Sequence, residues 1–331
     1  RAITERERFA ARLRHISNPH MSSLPLTKRA KLCLSKFPLR INRWYHSDFG
    51  RHEFNPDGVD VMNEDWDNLL ILDACRYDTF AEVSDLPGTL ERRESRASTT
   101  DEFMRVNVDG RDLRDTVYVT ASPSVYATDD VDARFYHIEH VWADDWDPEL
   151  GTVHPAAVTE RAIEAHERYP NKRLLVHYLQ PHYPFIGETG RQEFRYDGYE
   201  EPLDPDGDTE KFWDTVGTRI NDVSTDTVWT AYVENLEVAL PHVKELLTTV
   251  EGTSVVTADH GEMIGERAYP VPNKLHGHPG GLYTPELVHV PWLTYTNGTR
   301  RRIVSEEPDS DRDEIDDTVV RKRLADLGYA E

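Results

Sequence analysis

The sequence predicts an α/β fold: a parallel or mostly parallel sheet covered by helices on both faces. Three observations carry this. Short, continuous apolar runs recur along the chain, amphipathic helical stretches lie between them, and several runs end on a cluster of polar, chemically competent side chains.

The first run is Asn68-Leu69-Leu70-Ile71-Leu72-Asp73, which reads as a strand buried on both faces and closed by a carboxylate. Thr116–Thr120, Arg173–Leu179, Thr253–Thr257 and Val288–Thr294 repeat the pattern. Helical periodicity occupies Pro155–Tyr169 and Thr225–Thr249. The latter places Val228, Tyr232, Leu236 and Leu240 on one face, with Pro241 expected to kink or restart it. Residues 187–223 are polar and rich in Gly, Pro and Asp, and read as an insertion or lid. The expected organisation is a basic arm over 1–60, a catalytic domain over 61–297, and a charged linker with a short terminal helix over 298–331.

Charge is distributed unevenly over the 331 residues. Lys and Arg number 38 against 61 Asp and Glu, a net charge of −23. Residues 1–50 carry eleven basic side chains against Glu5, Glu7 and Asp48, a balance of +8, so the rest of the chain holds −31. A general nucleic-acid binder is disfavoured, because most of the surface would repel phosphate. Abundant acid with only eight lysines is the composition expected of a protein kept soluble in high salt, and a halophilic source is the leading explanation, ahead of an acidic interaction surface. Two cysteines, Cys33 and Cys75, make no disulfide framework, and no apolar run reaches the ~18–20 residues of a membrane span. In the basic leader, Phe9, Leu13 and Ile16 recur at helical spacing among arginines. This segment either lies on an anionic membrane surface or wraps the acidic body as a charge-complementary arm. A soluble or peripheral protein, cytoplasmic rather than exported, is expected, with an upstream signal or anchor left open.

In open sheets of this kind ligands bind beyond the carboxyl ends of the strands. One predicted strand ends in Asp73, another leads into Gln180-Pro181-His182, and a third ends in Asp259-His260-Gly261-Glu262. His276-Gly277-His278 precedes the last strand. Carboxylates with an imidazole suit Zn²⁺ or Mn²⁺, and a hydroxyl on such a cation becomes nucleophilic near neutral pH. Ser98-Thr99-Thr100 follows Asp73 at a distance sufficient for a helix and a return to the same edge. His182, His276 and His278 could hold phosphoryl or sulfuryl oxygens or protonate a leaving group. Each residue also has a structural reading: Asp73 as a helix N-cap, Asp259-His260 as a strand-end turn, His182 as a loop histidine bonded to a carbonyl. Cys75 reads as a small buried hydrophobe, and Glu262 and Glu266 as solvating or capping groups.

With these segments in view, the chain resembles a known family. Asn68–Asp78 is similar to the opening strand and first metal motif of the sulfatase branch of the alkaline phosphatase superfamily, and Thr257–Glu266 to its second metal motif. Leu275-His276-Gly277-His278-Pro279, followed by Val290-Pro291-Trp292-Leu293, resembles the closing His motif as found in phosphoethanolamine transferases. His177–Phe185 is similar to the mid-chain His-Pro segment. The four segments occur in the family's order and span about residues 66–296.

The resemblance implies a three-layer α/β/α sandwich with a mostly parallel central sheet, and metal-assisted attack on a phosphorus or sulfur ester through a covalent intermediate. It implies Asp73, Asp259 and His260 as metal ligands, with His278 as a further candidate, and a threonine that is both ligand and nucleophile. Thr99 fits the family's pattern of nucleophile, any residue, then Pro or Asp; Thr100 and Ser98 remain alternatives. His182 and His276 are the implied catalytic imidazoles, and one Zn²⁺ or Mn²⁺, with Ca²⁺ also open, is the implied cofactor. Two departures bear on the reaction. The Cys/Ser-x-Pro-x-Arg pattern of sulfate-ester sulfatases is absent, which favours a phosphoryl substrate. No convincing Asp-x-x-x-His for a second metal lies in the expected interval; Asp222 is followed by Asp226, not His. The expected substrate is a phosphorylated or sulfated small molecule, glycan or lipid headgroup. The rival readings are a catalytically silent binding protein of the same fold and a true sulfatase.

Overall fold

A computed structural model gives the fold and describes residues 37–47, 49–123, 131–194, 213, 216, 223–308, 318–320 and 323. Most of the expected basic arm and lid, and most of the terminal helix, lie outside the described residues. The described part of the lid includes one short helix at its start.

Seven strands form one sheet: β1 (Asn68–Leu72), β2 (Thr89–Glu94), β3 (Asp112–Thr120), β4 (Arg134–His140), β7 (Arg173–Tyr178), β8 (Gly252–Thr257) and β11 (His289–Asn297). Their spatial order is β2-β11-β8-β1-β7-β3-β4. β1 pairs in parallel with β7 and β8, and β3 pairs in parallel with β7 and β4. β11 runs antiparallel to both β8 and β2, so it alone opposes the common direction. Two small hairpins, β5 (Trp146–Asp147) with β6 (Thr152–Val153) and β9 (Met263–Ala268) with β10 (Asn273–Gly277), stand apart from this sheet.

The helices are α1 (37–46), α2 (Tyr77–Val83), α3 (Thr100–Asn107), α4 (Val141–Asp144), α5 (Pro155–Arg168), α6 (Glu188–Glu193), α7 (Thr225–Thr249) and α8 (Pro285–Val288). β1 shows why the sheet is covered twice. Leu70 and Leu72 enter a core with Val158 and Ala162 of α5 and Leu236, Leu240 and Val243 of α7. Leu69 and Ile71 enter a second core with Phe103 and Met104 of α3. All five β1 residues are buried, as a central parallel strand requires. The α/β/α sandwich expected from the sequence is therefore the observed architecture.

Local chemistry fixes the helix starts. His154 caps α5, its Nδ1 accepting from the Ala156 N–H at 3.2 Å, and Pro155 occupies the first turn where its missing N–H costs nothing. Ser224 caps α7 by accepting from the Thr227 N–H at 3.1 Å. The helix does not restart at Pro241: α7 runs as a single element from Thr225 to Thr249. Its buried residues Tyr232, Leu236, Leu240 and Val243 hold it on the sheet across the proline.

Because β1 carries both cores, a void there cannot be filled from solvent. Leu70→Ala is expected to lower unfolding free energy by about 2–5 kcal/mol, read as a shift in the urea midpoint.

Candidate metal centre and active site

β8, β1 and β7 are neighbours, so the segments leaving their carboxyl ends converge on one rim. Asp73 leaves β1 and Asp259 lies just beyond β8. Ala74, next to Asp73, adopts a left-handed backbone (φ 59°), a conformation that costs a non-glycine residue about 1–2 kcal/mol. The turn is held from two sides: the Ala74 N–H donates to Asp259 Oδ1 at 3.0 Å, and the Tyr232 hydroxyl donates to the Ala74 carbonyl at 2.7 Å. Gly261 is required by close approach, since a Cβ there would stand 2.1 Å from the Glu286 carbonyl oxygen of α8.

Four side chains meet at this rim. Thr100 Oγ1 lies 3.5 Å from Asp73 Oδ2 and 3.3 Å from His260 Nε2. His260 Nε2 lies 3.7 Å from Asp73 Oδ1 and 3.4 Å from Asp259 Oδ2. The edge of a tetrahedron with ~2.0–2.1 Å metal–ligand bonds is about 3.3–3.4 Å, so the spacing suits four ligands to one small cation. His260 Nδ1 donates to the Gly261 carbonyl at 2.8 Å, which leaves the lone pair on Nε2, facing the carboxylates. Asp73, Asp259 and His260 are fully buried, and Asp73 Oδ1, Asp259 Oδ2 and His177 Nε2 have no hydrogen-bond partner. Buried polar atoms left this way cost about 1–3 kcal/mol each unless something compensates them, and a divalent cation is the compensation this donor set fits.

A second group adjoins the first. The ligating atoms of His182, Glu262 and His278 lie within 4.8 Å of one another. His278 Nδ1 stands 3.0 Å from Glu262 Oε2, and its ring lies 4.6 Å from that of His260 and 5.0 Å from that of His182. His182 Nδ1 bonds its neighbouring Tyr183 carbonyl, which again turns Nε2 into the lone-pair nitrogen. The loop carrying His182 is clamped by Asn235 of α7, whose Nδ2 donates to the carbonyls of Pro181 (3.0 Å) and His182 (2.9 Å).

Electrostatics explain why these groups want a cation. Burial pushes the Asp73 carboxyl well above the usual range, and the charges of Asp259 and Glu262 push the same way. Burial presses on Asp259 likewise, but His260, His177 and the Ala74 N–H outweigh it and hold this carboxyl below its ordinary value. Burial lifts Glu262 to about 8. The imidazoles are driven neutral: burial lowers His177 to about 4, and burial with His278 lowers His182 to about 4. Three carboxyl groups thus share a dry pocket with uncharged histidines.

The placement of the expected residues is uneven. Asp73, Asp259 and His260 come together. His278 sits in the adjoining group with His182. His276 does not join either group; it lies on β10, half-buried, with Nε2 3.4 Å from Thr225 Oγ1. The threonines separate by one residue. Thr99 is the N-cap of α3 and its Oγ1 accepts from the Glu102 N–H at 3.2 Å, whereas Thr100 is the first helical residue and its hydroxyl is the one at the carboxylates. Ser98 Oγ donates to Glu102 Oε2 at 3.0 Å. The signal that separates them is the capping box Thr99-x-x-Glu102, which marks Thr99 as the residue outside the helix. Glu262, expected to solvate or cap, is instead fully buried against His278. His177, for which the sequence suggests no role of its own, also faces the site. Its Nε2 stands 3.8 Å from Asp73 Oδ2 and 3.9 Å from Asp259 Oδ2, with Nδ1 3.0 Å from the Tyr118 hydroxyl.

No family model matches the chain, and no curated protein matches it. Among solved structures it is similar to the integral membrane lipooligosaccharide phosphoethanolamine transferase EptA of Neisseria meningitidis (13% identity, TM-score 0.43, covering 70% of this chain and 47% of that one). It is also similar to the C-terminal periplasmic domain of EptC from Escherichia coli in complex with Zn (14% identity, TM-score 0.40, covering 69% and 72%). A third is an alkaline phosphatase superfamily protein of Vibrio parahaemolyticus (14% identity, TM-score 0.36, covering 79% and 65%). The chain spans about half the length of the Neisseria protein. No described helix is long and apolar enough to cross a membrane.

The pH dependence of the metal-free protein derives from these shifts. Asp73 and Glu262 hold protons in the folded state that the unfolded chain releases above about pH 4–4.5, so they stabilise at low pH and lose that contribution as pH rises. The depressed histidines act oppositely, but only below about pH 6.5. Between pH 6.5 and about 8, stability without metal should therefore fall, by about 1.4 kcal/mol per pH unit for each proton held. Chelator-treated protein melted at several pH values checks the slope, and proton release on adding Zn²⁺, read by calorimetry in two buffers, checks its origin.

Proposed function

We propose that this protein is a metal-dependent phosphoester hydrolase or phosphotransferase of the sulfatase-like branch of the alkaline phosphatase superfamily, with Thr100 as its nucleophile. The observation that carries the reading is the Thr100 hydroxyl, buried and set between Asp73 and His260 at the first turn of α3. Asp73, Asp259, His260 and Thr100 would hold the cation. When bound there, a divalent metal lowers the proton affinity of the hydroxyl it touches and offsets charge on the ester oxygens.

The remaining work falls to the chain's own groups. Thr100 Oγ1, its proton released to water, attacks phosphorus in line and the bond to the leaving alcohol breaks, giving a phosphothreonine that water or an acceptor hydroxyl resolves. The N-terminus of α3 presents backbone N–H groups where the phosphoryl oxygens gather. His182 orients the ester, and the His278–Glu262 pair stores the proton that the leaving oxygen takes up. Asn235 keeps His182 in place. The substrate class that suits the site is a phosphorylated small molecule, glycan or lipid headgroup. The missing Cys/Ser-x-Pro-x-Arg pattern argues against arylsulfatase chemistry.

A second reading of the His182, Glu262 and His278 group is a second cation site, favoured by the convergence of their ligating atoms. Metal analysis of protein purified without chelator separates the two: one equivalent supports a proton store, two support a second cation, and none supports a silent binding protein.

Assays with nitrophenyl phosphate, a nitrophenyl phosphodiester and nitrophenyl sulfate test the reaction. Thr100→Ala should lose about 10³-fold or more in kcat on the preferred ester. Thr99→Ala should retain turnover within about tenfold while losing roughly 0.5–2 kcal/mol of stability from the lost cap. Equal activity in Thr100→Ala and the parent protein rejects the nucleophile assignment.

A further inference from the structure

Away from the metal centre, a cavity of about 640 Å³ opens between the segment 45–57, the β9–β10 hairpin and the start of β11. It shares no lining residue with either candidate metal group. Tyr45, Phe49, Tyr269 and Tyr283 supply aromatic rings, Asp57 and Glu94 supply carboxylates, His46, His52 and His289 supply imidazoles, and among the described residues no lysine or arginine lines it.

The aromatic wall is built rather than incidental. Asn42 of α1 donates from Nδ2 to the Val271 carbonyl at 2.9 Å and accepts from the Val271 N–H at 2.9 Å, which pins the helix to the hairpin. His46 Nε2 lies 3.1 Å from the Tyr269 carbonyl oxygen, and its ring stands 4.7 Å from the Tyr269 ring. Tyr45 then faces Phe49 and Tyr269 edge-on, each at 6.1 Å. The rings remain half open: Tyr45 and Tyr269 are each 43% exposed and Phe49 is 52% exposed. Large aromatic surfaces held open to water beside carboxylates are costly unless a ligand covers them. Glu94 is also held. Glu94 Oε2 accepts from Asn55 Nδ2 at 3.3 Å, and Glu94 Oε1 lies 3.9 Å from His289 Nε2.

An anion would meet two carboxylates with no lysine or arginine among the described lining residues, and burial turns the His46 and His289 imidazoles toward their neutral form. A metal ion would need ligating atoms gathered within one coordination sphere, and the cavity's histidines and acids form no such group among the described residues. An organic ammonium ion satisfies both walls, its charge against Glu94 and Asp57 and its methyl or methylene groups against the π faces.

We propose that this cavity is a binding site for an organic ammonium group, primary or quaternary, separate from the phosphoester site. The ammonium group can come from a free amine such as choline or from the headgroup of a zwitterionic lipid. The site also touches the catalytic helix indirectly: the Tyr283 hydroxyl donates to Glu102 Oε1 at 2.5 Å, and Glu102 Oε2 holds the Ser98 N–H at 2.8 Å, immediately before α3.

The test is binding, not turnover, and is run on the full chain with and without chelator, so that it stands apart from the metal centre. Calorimetric titration with choline at constant ionic strength is compared with its uncharged isostere 3,3-dimethyl-1-butanol. Sedimentation with phosphatidylcholine vesicles is compared with phosphatidylglycerol vesicles. Choline should bind about tenfold more tightly than the isostere, and Glu94→Gln, Asp57→Asn and Tyr45→Leu should each weaken choline binding by about three- to tenfold. If the source is a lipid, the preference appears as retention on phosphatidylcholine over phosphatidylglycerol, lost in the same variants. Asp57 and Tyr45 are exposed, so their substitution leaves the fold intact, which thermal melts confirm. Equal binding of choline and isostere, a preference for phosphatidylglycerol, no binding to either choline or phosphatidylcholine, or indifference to all three substitutions overturns the proposal.

Discussion

Three carboxyl groups, those of Asp73, Asp259 and Glu262, have no solvent exposure and lie at the mouth of one sheet. That concentration of acid in a dry place is the constraint around which the molecule is arranged. Water cannot stabilise the charge there, and the nearby imidazoles are driven neutral by the same burial. The adjacent guanidinium of Arg76 is already matched by Asp78 and Glu266. Without a cation, burial raises the proton affinity of Asp73 and Glu262. With one, the same side chains would become ligands, which would link proton affinity to metal affinity in this site.

The supporting structure holds that arrangement in place. The left-handed turn at Ala74 directs Asp73 to the rim and points its own N–H at Asp259. Tyr232, on α7, stabilises the turn from behind, and Asn235, one helical turn further along α7, holds the loop of His182. A single helix thus positions both groups of ligands. On the opposite face α3 begins with a capping box, and its first helical residue delivers a hydroxyl to the carboxylates. The candidate metal centre is therefore gripped between the two helical layers, with the sheet as its floor.

Much of this is legible in the sequence, for definite reasons. β1, β3, β7, β8 and β11 announce themselves because central strands are buried on both faces and so appear as unbroken apolar runs. β2 and β4 do not: they sit at the two edges, where Thr89-Leu90-Glu91-Arg92-Arg93-Glu94 carries charges that discourage pairing with another chain. Asp73, Asp259 and His260 are legible because strand-end acids in a parallel sheet converge by topology. The family pattern does not show which threonine hydroxyl lies at the carboxylates; that depends on where a helix begins, and Glu102, three residues after the N-cap Thr99, marks the start at Thr100. His276 and His278 share a motif, but Gly277 between them takes a left-handed backbone (φ 85°), and only His278 lies with His182 and Glu262. Glu262 and His177 escape a sequence reading because nothing local marks them; their importance comes only from burial beside two other ionisable groups.

The strand order also bears on how the protein is made. β1 precedes both of its hydrogen-bonding partners, β7 and β8, which begin more than a hundred residues later. A chain emerging from the ribosome at about 5–20 residues per second therefore carries an unpaired apolar segment, Asn68–Leu72, for several seconds or more before the sheet can close around it. During that interval its hydrophobic edge is open to self-association or to a chaperone, and no fragment ending before β8 can contain a finished cation pocket.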